Sequence, residues 1–189
     1  MKHNYHVQCE NVELRPLRFE DIEALRIWRN DAANSRYIRK LPEITPEAQI
    51  AWFEAECEDD TSLTFAICVD DELVGSVSLY DITDSSAEFG RLMVGESKGK
   101  GIGRKATLAT LDIAFNTLHL EIVRAEVSVD NMPALVIYVR VGFCITGKSF
   151  NEAAQMDEYK IELDAPRHHR LNDELCQRQE TASEARAAD

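Results

Sequence analysis

Residues 98–105, K-G-K-G-I-G-R-K, place Lys98, Lys100, Arg104 and Lys105 within eight positions and interleave them with Gly99, Gly101 and Gly103. The surrounding chain is acidic: its 189 residues carry a formal net charge of −13, from 21 Lys and Arg against 34 Asp and Glu. Cations gathered around glycines, where a strand-like run ends and a helix-like run begins, suit an anionic ligand. Glycine has no Cβ, so its backbone approaches a ligand closely and takes positive φ. The first N–H groups of a helix lack intrahelical partners, and with the helix dipole they form a phosphate site. Three phosphate-cradling patterns compete here. A Walker loop, G-x-x-x-x-G-K-[ST], counted from Gly95 needs its second glycine at Lys100. A dinucleotide fingerprint, G-x-G-x-x-G, counted from Gly99 needs its last glycine at Arg104. What remains is a cation followed at fixed spacing by G-x-G: Lys98, Gly101 and Gly103. The plain alternative is a glycine-rich turn with solvated lysines.

The elements that must hold this loop follow from hydrophobic period. VQCENVELRPL (7–17) reads as one or two short strands turning at Glu10-Asn11, with an edge strand carrying Val12 and Leu14 and stopped by Pro16. RFEDIEALRIWRND (18–31) reads as a helix with Ile22, Leu25 and Trp28 on one stripe, and 31–44 as loop. Thr45 as N-cap and Pro46 at the first helical position start a helix over 45–58. LTFAICV (63–69) and ELVGSVSLY (72–80) then form a hairpin, and AEFGRLMV (87–94) the next strand. Residues 101–118 form a helix with a wide apolar face, 123–129 a strand, and 132–141 a helix closed by Gly142. FCITGKSF (143–150) and MDEYKIEL (156–163) pair as the last strands. The expected fold is α/β in the α+β sense: a mixed, mostly antiparallel sheet with a parallel central strand pair around 101–118, flanked by four helices. The domain is expected over 1–164, with 165–189 a polar tail, frayed helix or disordered.

Bulk properties narrow the function. An apolar fraction of 44% is enough for one core. The longest wholly apolar run, Ala134 to Val139, is too short to span a bilayer, and the opening MKHNYHVQCE carries no apolar stretch of a secretory signal. Five scattered cysteines, Cys9, Cys57, Cys68, Cys144 and Cys176, with no C-x-x-C, fit a reducing cytoplasm and argue against a disulfide framework or zinc site. The histidines do not cluster with them, so no metal is expected. The acidic balance disfavours nucleic acid, whose binding needs Lys and Arg to displace counterions.

G-R-L-M-V-G-E-S-K-G-K-G-I-G-R-K-A (90–106) resembles the acetyl-CoA-binding motif of the GNAT superfamily of N-acetyltransferases. A second stretch, 127–143, is similar to that family's N-x-x-A-x-x-x-Y-x-x-x-G-F, carried by Asn131, Ala134, Tyr138, Gly142 and Phe143. The likeness spans about 12 to 163. It implies acetyl-CoA as donor, with the backbone at Met93 and Val94 pairing to the pantetheine arm and the Val94 N–H serving the thioester oxyanion. It places the pyrophosphate on the Lys98-Gly99-Lys100-Gly101-Ile102-Gly103-Arg104 backbone and gives Asn131 a pantetheine contact. It implies Tyr138 as general acid for the leaving thiolate, whose reference pKa is about 8.5, and Glu88 as general base. Each has a plainer reading: Tyr138 as a core residue with a polar tip, Glu88 as a solvated strand end. Glu88, Gly90 and Leu92 share one strand face unless a bulge intervenes.

The acceptor is expected at 28–45, through Trp28, Arg29, Asn30 and Arg36. These resemble acetyltransferases of nucleotide-linked amino sugars, where cations meet a diphosphate; alternatively Trp28 is core and the arginines are surface. The overall pattern also resembles polyamine and ribosomal-protein N-terminal acetyltransferases. The expected reaction is direct transfer to a primary amine of a small molecule, without a cysteine intermediate. A non-catalytic CoA-binding module of the same fold is the competing class, and a homodimer is compatible with the resemblance.

Overall fold

Two short strands open the chain in the computed structural model, which describes residues 1–37, 42–95 and 100–174. They are β1 (Val7–Cys9) and β2 (Val12–Pro16), turning at Glu10 with φ 55°. A 3-10 turn, Phe19–Asp21, leads into α1 (Ile22–Asn30) and a single-turn α2 (Ala32–Ser35). Helix α3 (Pro46–Glu58) starts as its sequence requires, with Thr45 Oγ1 accepting the Ala48 N–H at 3.2 Å. Strands β3 (Leu63–Val69), β4 (Glu72–Tyr80) and β5 (Ser86–Val94) form a meander. Then come α4 (Ile102–Asp112), continued by a π-turn over Ile113–Thr117, β6 (Ile122–Ser128), α5 (Met132–Arg140), β7 (Cys144–Asn151) and β8 (Met156–Asp164). Residues 165–174 form a further helix, α6.

All eight strands join one sheet in the order β1-β2-β3-β4-β5-β6-β8-β7. Every pairing is antiparallel except β5 with β6, the pair joined through α4. The mixed sheet with a central parallel pair is the one expected from the sequence. Two details differ. Strand β2 is internal, because β1 takes the edge. The expected loop over 31–44 contains α2, whose N-cap Asp31 accepts the Ala33 N–H.

Strand alternation divides the core between two faces. Phe65 and Ile67 of β3, Val77 and Leu79 of β4, and Ala87 and Phe89 of β5 pack on α4 and α5. Ala66 and Cys68 turn the other way, onto Leu17, Ile22 and Leu25 beside Trp28, Trp52 and Phe53. The apolar stripe of α4 is fully used: Ile102, Ala106, Ala109 and Leu111 are buried, as are Ile113, Ala114 and Phe115 beyond it. Arg15 fixes the entry to α1, donating from Nη1 and Nη2 to both buried Asp21 oxygens at 2.7 and 2.8 Å.

Helix α6 packs on the domain. The Arg167 Nε–H donates to the Gly142 carbonyl at 2.7 Å. His168 is buried against Phe115, ring centroids 4.8 Å apart, with Asn172 donating to its Nε2. Burial holds the His168 pKa below its ordinary value, with a smaller push from His169, and burial does the same to His3. The unfolded chain therefore takes up these protons at a higher pH than the folded one. Their contribution to stability is complete above about pH 6.5 and is lost as pH falls through the folded values. Urea unfolding is expected to show a lower midpoint at pH 5.5 than at 7.5, and His168→Phe should shrink that difference.

Candidate active site

Strands β5 and β6 are paired only from Ser86–Ile122 to Glu88–Arg124 and then part. The Gly95 N–H donates to the Val74 carbonyl on the β4 side at 2.9 Å. Alternate N–H groups along a strand point to opposite neighbours, so the Val94 N–H faces the side that β6 has left. A cleft of about 590 Å³ opens there. Leu92, Met93 and Val94 line it from β5, Gly101 to Arg104 from the start of α4, and Asn131, Ile137 and Tyr138 from α5 and its cap. Gly101 has φ +74° and caps α4, and a Cβ on Gly103 would meet Ile137 at 3.4 Å. The first turn of an eleven-residue helix therefore presents its N–H groups at the mouth of an elongated cleft, a fit for a phosphorylated arm. Lys98 and Gly99 lie outside the described residues, and Lys100 is exposed. Lys105 serves elsewhere, with its Nζ 2.7 Å from both Glu10 Oε2 and Asn11 Oδ1 at the β1–β2 turn.

Strand β5 changes face partway along. Ser78 pairs with Gly90 and Ser76 with Met93, so two steps on β4 oppose three on β5. The extra residue is Arg91, at φ 52°; among the described residues it is the one non-glycine with positive φ inside a strand. Before this bulge Ala87 and Phe89 face α4 and α5; after it Leu92 and Val94 do, and Met93 joins the opposite core. Leu92 therefore does not share a face with Glu88 and Gly90, as unbroken alternation would require; Met93 takes its place.

On that opposite face lies a second pocket, of about 380 Å³, lined by Arg29, Gln49, Trp52, Thr64, Ser78, Arg91 and Met93 among others. Met93 lines both spaces. Behind the second pocket, Glu56 is buried and its Oε1 pairs with Arg91 Nη1. Ser62 and Thr64 hydroxyls donate to Glu56 Oε2 at 2.7 and 2.8 Å, and Thr64 Oγ1 lies 2.9 Å from Ser78 Oγ. Every oxygen of this buried carboxylate is thus satisfied.

The structure disperses the candidate residues across both faces. Tyr138 is 7% exposed at the wall of the cleft, edge-on to Phe89 at 5.6 Å and Phe143 at 5.8 Å. Burial, and then Tyr80, hold its hydroxyl pKa well above the usual phenol range. Glu88 is half-buried on the opposite sheet face and lines neither space. Burial raises its pKa; Arg124 opposes this, and Glu126 and Asp81 add to it. Tyr80 stands between them in charge terms, raised by burial and Glu88 and itself raising Tyr138. Its ring lies on the bare backbone of Gly90, where a Cβ would meet the hydroxyl at 3.0 Å, and under the Arg91 guanidinium at 4.7 Å. Tyr80 belongs to no motif, and Arg91 lies within the 90–106 stretch without a role assigned to it there; the isolated Gly90 inside a strand was the available signal.

Arg29 lines the second pocket. Trp28 fills the space beside Gly95, which a Cβ there would enter. Asn30 is engaged in structure, binding both the N–H and the carbonyl of Ile44 at 2.9 Å. Arg36 stacks on Tyr37 at 4.4 Å and lines the first cleft instead of the second pocket. Asn131 Oδ1 caps α5 through the Ala134 N–H at 3.2 Å. Among the described residues no three His, Cys, Asp or Glu side chains converge as metal ligands, and no helix is long and apolar enough to cross a membrane.

Two spaces border β5, and Met93 lines both. Residues 11–144 match the family described as "Acetyltransferase (GNAT) domain", and the chain belongs to that family. It is an N-acetyltransferase that uses acetyl-CoA and acts on amines. Spermidine N(1)-acetyltransferase of Escherichia coli K12 is 28% identical over 154 residues, covering 80% of this chain and 83% of that protein. Acetyltransferase PseH of Campylobacter jejuni is 26% identical over 129 residues, covering 68% and 80%. The crystal structure of spermidine N-acetyltransferase from Vibrio cholerae, in complex with CoA and spermine, superposes with a TM-score of 0.77 at 23% identity, covering 84% of this chain and 98% of that one. That last likeness speaks to the fold.

Proposed function

We propose that the enzyme transfers acetyl from acetyl-CoA directly to the primary amine of a small anionic molecule, in first place a nucleotide-linked amino sugar. The observation that carries this reading is the wall of the second pocket: two guanidinium groups, Arg29 and Arg91, line it, while the carboxylate paired with Arg91, Glu56, is buried outside the lining. A polyamine would need the reverse, since a polycation binds where negative charge is arranged to meet it. The relatedness to spermidine acetyltransferases and to PseH keeps the polyamine reading as the alternative.

In the proposed reaction the coenzyme's pyrophosphate lies on the α4 start, with Gly101, Ile102, Gly103 and Arg104 around it, joined by Lys98, Gly99 and Lys100. Its pantetheine pairs along Met93 and Val94 as an added strand and passes Asn131. The Val94 N–H stabilises the tetrahedral oxyanion. The amine arrives from the Arg29 side, past Met93, and attacks the thioester carbonyl carbon. Glu88 borders neither space, so as base it takes the amine's proton through intervening water; the C–S bond breaks, and Tyr138 protonates the departing thiolate. One chain lines both spaces, so a homodimer is compatible with the reaction without being part of it. The reducing, cytoplasmic setting expected from the scattered cysteines goes with this reading.

The test is thiol release from acetyl-CoA across a panel of amines: nucleotide-linked amino sugars, spermidine, aminoglycosides and ribosomal N-terminal peptides. The expected result is highest kcat/KM with a nucleotide-linked amino sugar. A clear preference for spermidine would transfer the assignment to the polyamine class.

A further inference from the structure

Resting on that reading, we propose that Arg91 is the residue that recognises the negative group of the acceptor, and that Glu56 serves to hold it there. Arg91 occupies a backbone conformation that a non-glycine residue adopts inside a strand only when its surroundings enforce it. The β4–β5 bulge sets that backbone, and the side chain it projects is held on both sides. Tyr80 stacks on one face of the guanidinium, and Glu56 grips Nη1 from the buried end. Glu56 is in turn fixed by Ser62 and Thr64, so the pair does not swing as a surface ion pair would. A guanidinium has five N–H donors in one plane, and the Glu56 contact engages Nη1. The group borders the acceptor pocket beside Arg29, Trp52 and Met93. An anion entering that pocket meets an arginine whose orientation is already set, and planar bidentate recognition of phosphate or carboxylate is what arginine does best. The cost of ordering a long side chain on binding has been met during folding. Arg91 acts on the acceptor's binding and Glu56 through Arg91, so neither is assigned a step in the chemistry.

The test compares the wild type with Glu56→Gln/Arg91→Gln, a pair that removes the guanidinium without stranding a buried carboxylate. The probes, at saturating acetyl-CoA, are a uridine-diphosphate-linked amino sugar, the same sugar without its nucleotide, and spermidine. The expected result is a KM for the nucleotide-linked sugar raised at least about 10-fold in the double variant. Its kcat, the KM for the unphosphorylated sugar and the Kd for acetyl-CoA should each stay within about threefold. An equal rise for both sugars, or no rise, overturns the role of Arg91 and leaves the amino-sugar reading standing. Spermidine as the best wild-type acceptor overturns both. Should the double variant fail to fold, the wild type alone decides: uridine diphosphate should compete with the acceptor at least about 10-fold more strongly than uridine. Equal competition would refute the proposal.

Discussion

Replacing Tyr138 with phenylalanine is expected to lower kcat about 100-fold, the low end of what a general acid contributes, while acetyl-CoA still binds within about twofold of normal. The ring is held by Phe89 and Phe143 in edge-on contacts that involve no hydroxyl, so the substitution removes one oxygen and leaves the packing in place. The Tyr138 side chain lines the same cleft as Val94 and Asn131. Burial, with Tyr80 close by, keeps the phenol protonated through the neutral range, the state a donor to a thiolate requires. Pre-steady-state mixing should show slow acetyl transfer and unchanged coenzyme association. Unaltered turnover would take Tyr138 out of the mechanism and make it a core residue with a polar tip.

The second large effect is expected from Gly75→Ala. Gly75 of β4 lies opposite Val94, and a Cβ added there would run into the Met93 carbonyl. The obstacle is backbone, not the free end of a side chain, so β4 and β5 must separate to make room. Overpacking of this kind costs on the order of 3 kcal/mol, or roughly 6–12 °C in Tm for a chain of this size. The displaced segment is the one that carries Met93 and Val94, so acetyl-CoA affinity should fall together with stability. Differential scanning calorimetry and titration calorimetry on the same preparation check both halves. Gly147→Ala is the control: a Cβ there meets nothing within 4 Å, and Tm should move by no more than about 2 °C. Equal behaviour of the two variants would refute the close approach at Gly75.

Much of this architecture was legible because local signals and long-range packing agree. Thr45-Pro46 starts α3, the Asp70-Asp71 turn joins β3 to β4, and Asn131 and Gly142 bracket α5. Most of the first cleft's lining falls in the two stretches singled out in the sequence, 90–106 and 127–143, and only residues within 33–37 join it from elsewhere. The acceptor side was not legible in this way. Its lining is drawn from α1, α3, β3, β4 and β5, elements that carry no shared motif and meet only once the sheet has formed. Asn30 illustrates the difficulty. The resemblance of Trp28-Arg29-Asn30 to amino-sugar acetyltransferases implied substrate contact, while in the structure the Asn30 amide binds Ile44. A bulge in this strand was anticipated, but its position depends on the count of residues in the partner strand, which period-two reasoning along one strand cannot supply, so Arg91 was not singled out.

The added residue at Arg91 has a bearing on how such a molecule could change over time. By shifting the face alternation of β5 midway, it sets Leu92 and Val94 against one space and Arg91 against the other. On the proposed assignment of the two spaces, mutations that retune the choice of amine can then accumulate without eroding grip on the coenzyme. Met93 is the exception, a shared hinge-pin at which neither partner can be altered privately.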